Sequence, residues 1–121
     1  MDRAYAPYSG FRVGAALLAV GGSITDGCNM ENASFPAGIC AERAALASAV
    51  SRGERAFVAL AIATEARVPT PPCGICRQAL VEFSPGLAVI SLTRDGQEAS
   101  WTLATLLPQA FTQESLGRGP A

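Results

Sequence analysis

The chain has 121 residues, half of them hydrophobic and 16% charged, with a formal net charge of −1 and no histidine. That length allows one domain with a real core but not two, and the apolar share excludes a disordered chain. With no Lys- or Arg-rich run to meet a phosphate backbone, a nucleic-acid polymer is excluded as substrate, and no apolar stretch of about 18 residues offers a membrane span.

In chain order, apolar residues from Phe11 to Val20, the pair Gly21-Gly22 and the segment Ser23 to Cys28 predict a β-hairpin. Asn29 to Ile39 carries Asn, Ser, Pro and Gly and reads as an ordered loop. Cys40 to Val50 is rich in strong helix formers and stops at Arg52-Gly53, which predicts a helix. Phe57 to Ala63 is an apolar run of strand length, broken by Thr70-Pro71-Pro72. Cys73 to Phe83 places Ile75, Ala79, Leu80 and Phe83 at helical spacing before Ser84-Pro85-Gly86. Leu87 to Leu92 is a further strand, Arg94-Asp95-Gly96 a turn, and Trp101 to Leu107 a short strand or helix, with Trp101 assigned to packing. Strands alternating with helices imply an α/β layer architecture. A single domain is expected over residues 1–111, with a disordered tail over 112–121.

Cys40-Ala41-Glu42 and Pro72-Cys73-Gly74-Ile75-Cys76 supply three thiolates and one carboxylate. Structural zinc sites usually close with four protein ligands, whereas catalytic sites hold three and keep the fourth position open. Without histidine, every soft ligand must be sulfur. Placed in the first turns of two helices, Cys40, Cys73 and Cys76 meet the partial positive charge of unpaired amides, which favours thiolates. Cys73 and Cys76 are one helical turn apart and share a face. Two strands running the same way, Ser23–Cys28 and Phe57–Ala63, would bring the two helix N-termini together. Three thiolates and one Zn²⁺ sum to −1, and Arg43, one turn after Cys40, is the expected compensating charge, with Arg77 a second such arginine. Glu42 is the expected proton shuttle beside the metal. For Cys28, a fourth-ligand role is weighed against an inert strand position and set aside.

The blocks Tyr5-Ala6-Pro7-Tyr8-Ser9, Phe11-Arg12-Val13-Gly14-Ala15-Ala16-Leu17, Gly27-Cys28-Asn29-Met30-Glu31-Asn32-Ala33-Ser34, Cys40-Ala41-Glu42-Arg43, Pro72-Cys73-Gly74-Ile75-Cys76-Arg77-Gln78 and Leu106-Leu107-Pro108 occur in this order over nearly the whole chain. Together they resemble the cytidine deaminase family of the small homotetrameric, zinc-dependent type. The first-Cys, Glu, PCxxC layout is the zinc-deaminase signature. The resemblance implies a three-layer α/β/α sandwich with a mixed central sheet of about five strands. It further implies one Zn²⁺ per chain on Cys40, Cys73 and Cys76, with Glu42 catalytic, and a homotetramer. Asn29 and Glu31 would bind a sugar hydroxyl, Phe11 would pack on the pyrimidine, the backbone at Ala41 would read the exocyclic edge of the base, and Phe111 would be lent to a neighbouring subunit. The implied reaction converts cytidine and 2′-deoxycytidine to uridine and 2′-deoxyuridine with release of ammonia, in pyrimidine salvage.

Two departures from the family bear on subunit contacts. Only four residues precede Tyr5, where the family carries a helix, and Phe35 stands where tyrosine is usual. A start without signal- or transit-peptide character gives the cytoplasm as the expected compartment, and four cysteines there read as a metal or redox site. Three alternatives stand beside the main reading: a zinc deaminase of another aminopyrimidine such as blasticidin S or a free base, a non-catalytic zinc protein of the same fold, and a thiol redox protein using Cys73 and Cys76. Asn29 and Glu31 argue for a nucleoside, Glu42 argues for catalysis, and a redox pair needs neither Cys40 nor Glu42.

Overall fold

The computed structural model describes residues 1–117. The hairpin forms as expected, β1 over Val13–Ala19 and β2 over Ile24–Cys28, with Gly22 at φ +98° in its turn. That conformation is one only glycine adopts without strain. The remaining strands are β3 over Phe57–Thr64, β4 over Ala88–Thr93 and β5 over Glu98–Thr102, and the main helices are α1 over Ala41–Ser51 and α2 over Gly74–Val81. A single-turn helix, α3 over Leu103–Leu106, follows β5, so the Trp101–Leu107 segment is strand and then helix.

The sheet order is β2-β1-β3-β4-β5, antiparallel except for the parallel pair β3–β4 that α2 connects. This is the mixed five-stranded α/β sheet expected. Alternation along the strands turns Ala15, Leu17, Leu60, Ile62 and Val89 toward the helices, where they close over Leu80, Leu87 and Leu103. Burying each large side chain contributes roughly 1.5–3 kcal/mol. Of the two helical layers of a sandwich, the described residues fill one, since α1, α2 and α3 all share this core. Trp101 packs half-buried against it, as expected.

The feature that positions the site is the close seating of α1. Ala41, Ala45 and Ala49 recur every fourth residue, lie on one face and are fully buried. Beneath them Gly27 of β2 carries no side chain, and a Cβ there would stand 2.6 Å from the Ala45 nitrogen and 2.8 Å from the Ala41 oxygen. Small residues on both sides therefore draw the helix start onto the sheet and bring Cys40 with it.

β2 and β3 run in the same direction, yet β1 lies between them, so the two helix starts meet across three strands rather than beside a parallel pair. The expected disordered tail is corrected over its first part. Gln113–Leu116 forms a 3-10 turn whose Thr112 and Ser115 satisfy a capping box. Residues 118–121 lie outside the described residues.

Candidate metal and substrate site

Cys40 and Cys73 prove to be the N-cap residues of α1 and α2, one position ahead of the first turns where they were expected, and Cys76 is the third residue of α2. Neither N-cap side chain is spent on capping, so both sulfurs are free to face each other. Cys40 Sγ lies 3.8 Å from Cys73 Sγ, and Cys73 Sγ lies 3.5 Å from Cys76 Sγ. Tetrahedral Zn–S bonds of ~2.3 Å require sulfurs ~3.8 Å apart, so this cluster fits the ion with little adjustment. Among the described residues it is the one such group of three, and Cys28, at the end of β2, stands outside it.

Burial pushes the Cys40 thiol up, opposed by Arg43, and pushes Cys76 up further, helped by the negative charge of Glu42. At Cys73 burial also acts upward, but hydrogen bonds from the Cys76 amide and the neighbouring sulfurs outweigh it, and that thiol ends below its ordinary value. Cys73, at the exposed rim, is the ligand already disposed toward the thiolate.

A cavity of about 180 Å³ opens beside the sulfurs, walled by Phe11, Asn29, Ala41, Glu42, Cys40 and Cys73. Val13 of β1, Ile62 and Thr64 of β3, and Thr70-Pro71 complete it. Glu42 is only 5% exposed, and burial raises its carboxyl above the usual range against its own backbone amide, Cys76 and Arg43. A carboxyl made more basic in this way is suited to taking up and releasing a proton. The start of α1 also leaves the Ala41 amide without an intrahelical partner at the cavity wall.

Arg43 directs Nη2 to Cys40 Sγ at 3.9 Å, while its Nε is buried with no hydrogen-bond partner. Arg77 does not share this placement: its Nε donates to Pro72 O at 2.8 Å and its Nη1 to Leu106 O at 2.9 Å. It thereby ties the peptide ahead of Cys73 to the end of α3, and its contribution is to hold a ligand-bearing loop.

Asn29 reaches the cavity and Glu31 borders an adjoining hollow of about 270 Å³ that shares Asn29 and Cys40 with it. Both side chains also hold main chain. Asn29 Nδ2 donates to Phe11 O at 2.8 Å and Oδ1 accepts from the Val13 amide at 2.9 Å, while Glu31 Oε1 accepts from the Tyr8 and Ser9 amides at 2.9 and 3.0 Å. Phe111 is 59% exposed and outside the cavity lining, held by a 2.7 Å bond from Gln78 Nε2 to its carbonyl.

Sequence reasoning missed Thr64, Thr70 and Pro71. Thr64 was readable as the next helix-facing position after Leu60 and Ile62 on β3. The Thr70 and Pro71 positions carry no such periodic signal.

Fold and site define an α/β protein built around a three-thiolate zinc centre with a buried carboxylate beside it. Residues 1–92 match the family described as the cytidine and deoxycytidylate deaminase zinc-binding region. The chain is 48% identical over 116 residues to the cytidine deaminase of Sporosarcina psychrophila, covering 95% of this chain and 85% of that one. The crystal structure of cytidine deaminase from Burkholderia pseudomallei superposes with a TM-score of 0.87 at 45% identity, over 91% of this chain and 89% of that one. That of Mycobacterium tuberculosis gives 0.78 at 38% identity, over 91% and 86%. The chain belongs to the cytidine and deoxycytidylate deaminase family.

Proposed function

We propose that this protein hydrolytically deaminates cytidine and 2′-deoxycytidine to uridine and 2′-deoxyuridine, releasing ammonia, in pyrimidine salvage. The observation that carries the reading is a buried carboxyl, Glu42, on the wall of a cavity it shares with Cys40 and Cys73. Cys40, Cys73 and Cys76 hold one zinc ion. A bound zinc supplies the Lewis acidity that makes water a competent nucleophile at neutral pH.

The pyrimidine enters between Phe11 and the start of α1, with its exocyclic edge toward the Ala41 amide. Its sugar extends along Asn29 into the hollow bordered by Glu31. Glu42 accepts a proton from the attacking water and delivers it to ring N3, and the oxygen bonds to C4. Glu42 then carries the proton of the new C4 hydroxyl to the amino group, the C–N bond breaks as the C4 carbonyl forms, and ammonia leaves. Arg43 offsets the surplus negative charge of three thiolates, which a neutral site needs if it is to acidify water.

The working form in this reading is a homotetramer in the cytoplasm. Met30 and Phe35 line the sugar-side hollow and are exposed, Phe35 by 77%, an apolar rim suited to cover by a neighbour. Phe111 is free to be that neighbour's contribution. All four cysteines are unpaired, which suits a reducing compartment.

The test is the ultraviolet change on incubating zinc-loaded protein with cytidine, 2′-deoxycytidine, cytosine and blasticidin S. Turnover of both nucleosides, with cytosine left intact, is expected. Turnover of cytosine or blasticidin S alone would replace the proposed substrate class.

A further inference from the structure

Ser9 joins the sugar side of the pocket to its aromatic wall. Its hydroxyl donates to Glu31 Oε2 and accepts from the Phe11 amide at 3.0 Å. The direction is forced, because an ionised carboxylate only accepts and an amide N–H only donates. The Phe11 carbonyl is held from the other side by Asn29 Nδ2 at 2.8 Å. Both peptide groups of Phe11 are therefore fixed, one through Ser9 to Glu31 and the other directly by Asn29. The turn that delivers Ser9 is set by Gly10, at φ +73°, whose amide donates to Ala6 O at 2.9 Å.

The acceptor capacity of Glu31 sharpens the point. A carboxylate offers about four lone-pair positions. The Tyr8 amide, the Ser9 amide and the Ser9 hydroxyl occupy three of them. One acceptor position is left for a ligand, on the oxygen that Ser9 Oγ orients.

We propose that Ser9 is a positioning residue that aims the remaining acceptor of Glu31 at the sugar hydroxyl, with the Phe11 amide as its anchor. This rests on the reading above that Glu31 binds the sugar, here through its 3′-hydroxyl. Without the Ser9 hydroxyl the carboxylate keeps its two amide bonds to one oxygen and swings about them, so the ligand loses alignment while the metal and Glu42 are untouched.

The experiment compares zinc-replete wild type, Ser9→Ala, Ser9→Cys and Ser9→Thr on cytidine and on 3′-deoxycytidine, with zinc content and unfolding midpoint measured for each. Ser9→Ala is expected to raise KM for cytidine about tenfold, the scale of one hydrogen bond to a charged group, with kcat changed by less than about threefold. On 3′-deoxycytidine its effect falls to about threefold or less, the part due to loosening of Phe11. Ser9→Cys, a weaker donor of similar size, lies between, and Ser9→Thr restores the wild-type KM. Equal losses on the two nucleosides, or no loss on cytidine, would overturn the role. Wild type that handles both nucleosides alike would remove the sugar reading itself and this role with it, and that result appears before any substitution is made.

Discussion

The Arg43 guanidinium meets the Cys40 thiol at 3.9 Å across one turn of α1, with its own Nε buried and unpartnered behind that contact. A buried donor left unpaired costs about 1–3 kcal/mol, so the arrangement is stabilising only if the guanidinium charge is needed where it lies. Three thiolates around a divalent ion leave one negative charge, and one arginine cancels it. Arg43→Ala is expected to keep zinc near one per chain and to lower kcat by about tenfold to a hundredfold, with Arg43→Lys partly restoring it. Metal analysis beside steady-state kinetics decides this, and unchanged turnover in the zinc-replete variant would remove the role.

Zinc binding should displace protons from the sulfurs. Burial keeps Cys40 and Cys76 above the ordinary thiol range without metal, so these groups hold protons that the ion must expel. Lower pH adds proton competition and weakens binding. A chelator competition is expected to show affinity at least about tenfold lower near pH 6 than near pH 8, and Cys73→Ser should bind zinc poorly at both. An affinity independent of pH would contradict thiolate ligation.

A Cβ added at Gly27 would stand 2.6 Å from the Ala45 nitrogen, so a side chain there fits only if α1 moves. Gly27→Ala is expected to cost about 1–3 kcal/mol, as overpacked cores do. It should also weaken zinc binding, because Cys40 and Glu42 travel with that helix. Denaturant unfolding and zinc titration of the same variant test the coupling, and lost stability with unchanged zinc affinity would show α1 free to shift without its first turn.

Glu31 carries an acid signature. The Ser9 hydroxyl first, then the Ser9 and Tyr8 amides, hold its carboxyl below the ordinary glutamate value of 4.5. A lowered folded pKa contributes stability above the unfolded value and loses it as pH falls through the folded one. The Tyr8–Ser9 segment should therefore stay docked through neutral and mildly acidic pH and loosen only as pH falls through the lowered Glu31 value. Side-chain NMR titration of Glu31 with a midpoint at or above 4.5 would contradict this.

The sequence made the metal centre legible because its signals are local. The CxxC spacing fixes one helical turn, and the helix formers from Cys40 to Val50 mark the other helix. The direction of β2 and β3 followed from both leading into helices. What the sequence hid depends on contacts between distant segments. Arg77 reaches Leu106 across 29 positions, Glu31 reaches Ser9 across 22, and neither partner is marked by pattern. The tail was misjudged for a similar reason, since Glu82, just past α2, accepts from Gln113, and Gln78 of α2 holds the Phe111 carbonyl from which the tail departs.

In the proposed reaction Glu42 moves the proton at a three-thiolate zinc site. The most direct measurement is cytidine turnover by Glu42→Gln loaded with one zinc per chain, beside the wild type. The account predicts intact metal binding with kcat reduced by about 10²–10⁴-fold, the range of a lost general acid–base. Wild-type turnover in that zinc-replete variant would contradict it.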